Sequence, residues 1–253
     1  MPKKEYYIEA LHKTTDWKNY LLTNSNLPGP QGNLELMQAF VEVGSENDFI
    51  PLLNYTPDKA PVNTPEEFLS FCGTVGLGKL INEGKSDYYL RLKKLASDPR
   101  WRMREAVAWA LQIAGRKNFT WLLKSTESWI NGTLLEKRAP AAGLCEPDLL
   151  TDPSNAEKVI EILNLITLSI LYIDDRKTEN FRILRKGLGY CWSVAIVANP
   201  EKGKPVFQNL LDLNDPDIRW IIRENLKKKR LVKMDPEWVK KLNSQINLST
   251  KLA

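Results

Sequence analysis

Trp101, Glu105 and Trp109 recur at intervals of four residues. On a helix this spacing puts one acid between two large flat rings, near a single face. A carboxylate so placed can pair with Arg102 or with a group on a neighbouring helix while the indoles pack inward. Arg219, Arg223 and Lys227 recur at the same interval and form a cationic stripe beside Trp220. Such a stripe can hold phosphates through contacts that weaken as salt rises. It can equally be the solvated face of a terminal helix, which a stacked helical array needs as a cap. Trp101, Glu105, Trp109, Arg219, Arg223 and Lys227 are the candidate binding residues.

Other chemistries lack parts. Cys72, Cys145 and Cys191 are far apart in sequence, and His12 is the lone histidine. A structural zinc site wants four soft or nitrogen ligands at close spacing, so no metal is expected and the thiols read as small buried groups. One histidine near a terminus is little from which to build a hydrolase base. The glycines and lysine of Gly73, Gly76, Gly78 and Lys79 lack the preceding strand and the spacing of a phosphate loop; close helix packing explains them better. Asp174 with Asp175, and Glu146 with Asp148, sit at helix ends, where acids are common. No cofactor is expected.

The elements that must position these residues are helices. Apolar positions follow three-four spacing from Glu5 to Leu22, with a break near Thr14 and Thr15. Residues 26–32 are a loop by composition, and Asn33 reads as a helix cap. Thr64, Pro65, Glu66 and Glu67 start a helix by cap chemistry, with Gly73, Gly76 and Gly78 interrupting it. The pattern predicts helices over 100–114, 119–129, 134–144 and 154–172. Two short helices follow, 178–184 and 190–198, flanking Gly187 and Gly189, then 205–211, 216–229 and 236–246. No run alternates as a strand would.

The strongest organising signal is an internal repeat. Asp98-Pro99 precedes Arg100-Trp101-Arg102-Met103-Arg104-Glu105-Ala106-Val107. Asp215-Pro216, with Asp217 and Ile218 inserted, precedes Arg219-Trp220-Ile221-Ile222-Arg223-Glu224-Asn225-Leu226. Asp followed by Pro is a helix start, and an arginine at fixed offset can reach back to a carboxylate or a connecting carbonyl. Ala106, Ala108, Ala110 and Ala114 let a second helix approach closely. Residues 97–111 resemble the HEAT and armadillo helical-repeat superfamily, whose repeats often carry an aspartate near the inter-helix turn and an arginine some residues on. The resemblance covers about 86–145 and 203–231, with 137–147 as a degenerate unit, and points to a bacterial branch. It implies an all-α, right-handed α-α superhelix, a HEAT-like solenoid forming one domain over 1–253.

Within that superfamily, a DNA alkylpurine glycosylase family places an aromatic residue four positions before a catalytic aspartate. Trp101 and Glu105 copy the spacing, so the resemblance implies Glu105 as the catalytic residue of an alternative, base-excision reading. Glutamate stands where that family has aspartate, and its paired tryptophans are absent. Glu224 repeats the place of Glu105, which favours a structural role for both.

The 253 residues carry a net charge of +5, are 43% hydrophobic and 26% charged, and so permit a sizeable core. The longest apolar run, 160–173, contains Glu161 and Asn164 and is too short to span a bilayer. Residues 1–5 lack the apolar segment of a signal peptide. The expectation is a cytoplasmic, non-catalytic binding or scaffold module that offers a concave face to a macromolecular partner. A protein partner is expected first and nucleic acid second; no membrane contact is expected.

Overall fold

The computed structural model describes residues 3–251, with side chains described as far as residue 247. Met1 and Pro2, on which the reading of the N-terminus partly rests, lie outside the described residues. The fold is all-α: every regular element among the described residues is helical. No helix among them is long and apolar enough to cross a membrane. The chain forms two compact units, 1–118 and 119–253.

The first unit contains α1 (Lys3–Lys13), α2 (Trp17–Thr23), α3 (Leu34–Val43), α4 (Glu46–Phe49), α5 (Pro65–Asn82), α6 (Tyr88–Leu95) and α7 (Trp101–Lys117). The break near Thr14 is present, and Asp16 caps α2 by accepting the Asn19 N–H. Asn33 caps α3, and Thr64 caps α5 with Pro65 in its first turn. α5 is the centre of this unit and packs against α2, α3, α4, α6 and α7.

Gly73, Gly76 and Gly78 do not interrupt α5, which runs unbroken through all three. They are there because neighbours come too close for a side chain. A Cβ on Gly76 would lie 2.4 Å from the Phe49 ring, and one on Gly78 would lie 2.4 Å from the Ala110 carbonyl oxygen. Ala110 is one of the small residues of α7, so both sides of the α5–α7 contact are pared down.

The second unit contains α8 (Phe119–Ile130), α9 (Leu134–Leu144), α10 (Pro153–Leu168), α11 (Glu179–Ala198), α12 (Pro200–Asn209), α13 (Pro216–Leu226), α14 (Lys229–Met234) and α15 (Pro236–Lys251). Here α11 is central, against α9, α10, α12, α13 and α14. The two short helices expected around Gly187 and Gly189 are this single helix. At Gly189 the backbone of α11 meets Trp220 and Glu224 of α13, where a Cβ would stand 3.0 Å from the indole. Buried Trp129, Phe181, Trp192 and Phe207 fill the core.

The helix expected over 216–229 is two. α13 stops at Leu226, Lys228 is extended (ψ 124°), and α14 restarts at Lys229. The corner buries Leu226 and Leu231 and leaves Lys227 and Lys229 in solvent.

The two copies of the repeated frame start their helices differently. Asp215 caps α13, accepting the N–H groups of Asp217 and Ile218 at 3.0 and 3.1 Å. Asp98 does not cap α7, which begins at Trp101. Its Oδ1 instead accepts the Arg100 N–H and Nε–H, and its Oδ2 accepts from Arg100 Nη2 at 2.8 Å. The side-chain pair takes up the carboxylate and delays the helix by two residues. In the second copy the inserted Asp217 and Ile218 move Arg219 further along the helix, and Arg176 supplies the guanidinium to Asp215 at 2.6 Å.

Candidate functional site

The site is built on α7. Trp101, Glu105, Trp109, Ile113 and Arg116 follow one another along a single stripe of that helix. From Trp101 to Arg116 the helix rises roughly 22 Å. Two cavities flank the stripe and share Trp109. The first holds about 330 Å³ and is lined by Pro30, Gln31, Gly32, Leu34, Phe68, Phe71, Trp101, Arg102, Glu105 and Trp109. The second holds about 360 Å³ and is lined by Lys4, Met37, Gln38, Val41, Glu42, Lys79, Trp109, Ile113 and Arg116. α5 thus contributes residues to both cavities, with α3 and α7 lining them.

The loop at one end of the groove is tied down by a buried polar network. Glu67 of α5 is fully buried and pairs with Arg102 Nη1 at 3.1 Å. Arg102 Nη2 donates to the Gly29 carbonyl at 2.7 Å and to Asn63 Oδ1 at 3.3 Å. Asn63 Oδ1 accepts the Gly29 N–H at 2.9 Å, and Glu67 Oε2 accepts the Asn63 N–H at 2.8 Å. These bonds seat Pro30, Gln31 and Gly32 beside Phe68. The Arg102 guanidinium also lies over Trp101, 4.5 Å from the ring centroid.

The alternating arginines of the first copy therefore do structural work. Arg100 is buried and donates to the Tyr55 and Ala60 carbonyls and to Ser70 Oγ. Arg104 Nη1 reaches back to the carbonyls of Asp98 and Pro99, both at 2.8 Å, as the repeated frame suggested. Glu105 is half-buried on the cavity wall, and Arg102, one of its two expected partners, is held by Glu67.

The structure brings Trp101, Glu105 and Trp109 onto one cavity. The indoles are not plain core: Trp101 is 44% exposed and Trp109 half-buried. Arg219, Arg223 and Lys227 belong to the second unit. Arg219 and Arg223 are half-buried on α13, while Lys227 is exposed and pairs with Glu224. Lys227 lies just past the end of α13, which stops at Leu226. The tryptophan of the second frame repeats one feature of the first: a guanidinium, from Arg185, lies 4.5 Å from the Trp220 centroid.

Sequence spacing did not point to Phe68, Phe71 and residues 30–32 as groove residues. The two phenylalanines read as the apolar face of α5, and only the approach of α3 and α7 turns that face into a cavity wall. Among the described residues, no group of three His, Cys, Asp or Glu side chains could hold a metal ion. No family model matches the chain, and no curated protein or solved structure is similar to it at a significant level.

Proposed function

We propose that the chain is a non-catalytic binding module of the HEAT-like helical-repeat type, a right-handed superhelix acting in the cytoplasm, whose first unit receives a segment of a protein partner along α7. The observation that carries this reading is the shared cavity of Trp101, Glu105 and Trp109. Its volume falls in the range of ordinary ligand pockets, its walls are mainly apolar and aromatic, and its polar groups are few. The second cavity extends the groove along α7 past Trp109, towards Ile113 and Arg116. Exposed tryptophans are the residue type that most often anchors protein interfaces. The polar network behind the loop keeps the groove formed in the free protein, which lowers the ordering cost of binding.

The test is selection of displayed peptides on the full chain, followed by titration of the selected peptides. Peptides with aromatic or aliphatic anchors are expected, and Trp101→Ala and Trp109→Ala should each weaken them by at least about tenfold. Selected peptides that bind both variants as tightly as the parent chain would place the interface elsewhere and sink the proposal.

A second reading follows from Glu105 opening, four residues after Trp101, onto that aromatic cavity: a DNA-binding, alkylpurine glycosylase-type enzyme with Glu105 as its catalytic carboxylate. Against it, the cation lining the cavity is Arg102, which Glu67 already holds. The discriminating assay is release of alkylated bases from duplex DNA, with Glu105→Gln as control, beside duplex binding over a salt series. Base release abolished by Glu105→Gln would favour the enzyme over the scaffold.

A further inference from the structure

Residues 227–233 carry Lys227, Lys228, Lys229, Arg230 and Lys233. The corner between α13 and α14 gathers all five around an open cavity of about 470 Å³, whose remaining wall is Tyr190 of α11. Among the described residues, Lys227 is the one of the five with a carboxylate in ion-pair range, that of Glu224. The cations repel one another, and the corner holds them close because Leu226 and Leu231 on either side are anchored in the core.

Tyr190 organises two of them. The Arg230 guanidinium lies 4.9 Å from the ring centroid and donates Nη2–H to the phenol oxygen at 2.6 Å. The Lys228 ammonium lies 5.5 Å from the same centroid. Ring and hydroxyl hold these side chains in place without neutralising them. An incoming anion therefore meets donors already ordered, and the ordering cost of each long side chain is partly met beforehand.

The shape of the cluster selects the ligand. A nucleic-acid strand needs cations strung along successive phosphates. Here they converge from α14 and the corner before it onto one cavity, whose lining includes neither Arg219 nor Arg223. We infer that the Tyr190 corner binds a compact multivalent phosphate anion, of the size of a di- or triphosphate. Arg230 and Lys228 make the directed contacts, and Lys227, Lys229 and Lys233 supply the field. This site stands in the second unit and does not depend on the α7 groove.

The experiment is calorimetric titration of the full chain with inorganic tripolyphosphate, a nucleoside triphosphate and a short DNA duplex, in parallel and at two salt concentrations. Tripolyphosphate should bind with an affinity that falls as salt rises. Lys228→Gln with Arg230→Gln should weaken it by about tenfold or more, and Tyr190→Phe by less, since only the phenol hydrogen bond is lost. A nucleoside triphosphate binding equally well would show that phosphates suffice; tighter binding would add the base as a second contact at the same site, provided it too is lost in the double variant. Absence of tripolyphosphate binding, binding unchanged in the double variant, or preference for the duplex over both small anions would each overturn the inference. The exchanged side chains lie at the surface, and unaltered thermal unfolding would confirm that each variant is folded.

Discussion

Arg102 of α7 and Glu67 of α5 form an ion pair at 3.1 Å with both side chains buried. The pair joins the two most extensively packed helices of the first unit and, through Gly29 and Asn63, holds the loop that walls the groove. Removing one partner leaves a buried charge uncompensated, which typically costs about 3–5 kcal/mol. Glu67→Ala should therefore unfold at markedly lower urea. The double variant Glu67→Leu with Arg102→Met should recover a large part of that loss, because an apolar pair of similar volume needs no partner. If the single variant matches the parent chain in urea, the pair is not structural.

Glycine at 78 should be irreplaceable for a reason of packing rather than backbone conformation. Alanine normally gains about 1 kcal/mol over glycine inside a helix. At Gly78 the new methyl would strike the Ala110 backbone of α7, so overpacking of about 1–3 kcal/mol should outweigh that gain. Gly187→Ala is the control. Its new methyl would meet only the Arg138 side chain, at 3.3 Å, and the variant should be neutral or slightly more stable. Thermal unfolding of both variants decides the matter; equal behaviour would contradict the close α5–α7 contact.

The thiols should be silent in the native protein. Cys72, Cys145 and Cys191 are all free and buried. Burial pushes the Cys72 and Cys145 thiols well above the ordinary cysteine range, and Cys191 beside Cys145 raises the latter further. Little thiolate is present at neutral pH, and the reagent lacks access. A chromogenic disulfide reagent should label the native chain slowly and all three thiols promptly in denaturant. Prompt native labelling would mean that these helices do not enclose the cysteines.

Acid should weaken the second unit through Asp235. Its carboxylate accepts from Lys204 and from the Trp238 N–H at the start of α15, and these contacts hold its pKa below the ordinary aspartate value. A group lowered on folding stabilises above its unfolded pKa, near 3.9, and loses that contribution as pH falls through the folded value. Urea midpoints should drop as pH is lowered through and below that range. Asp235→Asn should flatten the acid limb, and an unchanged slope in that variant would assign the acid sensitivity to other carboxylates.

Much of the local structure was legible in the chain. Asn33, Thr64 and Asp215 announce helix starts because a short polar side chain can satisfy the first-turn amides. The four-residue spacing of Trp101, Glu105 and Trp109 places them on one face because a helix turns every 3.6 residues. Such features depend on neighbours within one or two turns, and a linear sequence records them directly. Tertiary contact decided the rest. Gly73 to Gly78 and Gly187 to Gly189 read as breaks, yet both stretches are continuous helix, and Gly76, Gly78 and Gly189 answer to a close neighbour and not to their own backbone. The same is true of Arg100, which the distant Tyr55 and Ala60 carbonyls hold in the place where it takes Asp98 out of capping, and of Tyr190, which joins the lysines at 227–233 across a long stretch of chain. Which face of α7 stays open, and which cations converge on a cavity, follow from how α3, α5 and α7, or α11, α13 and α14, pack together; that geometry is a property of the folded chain and of no single segment.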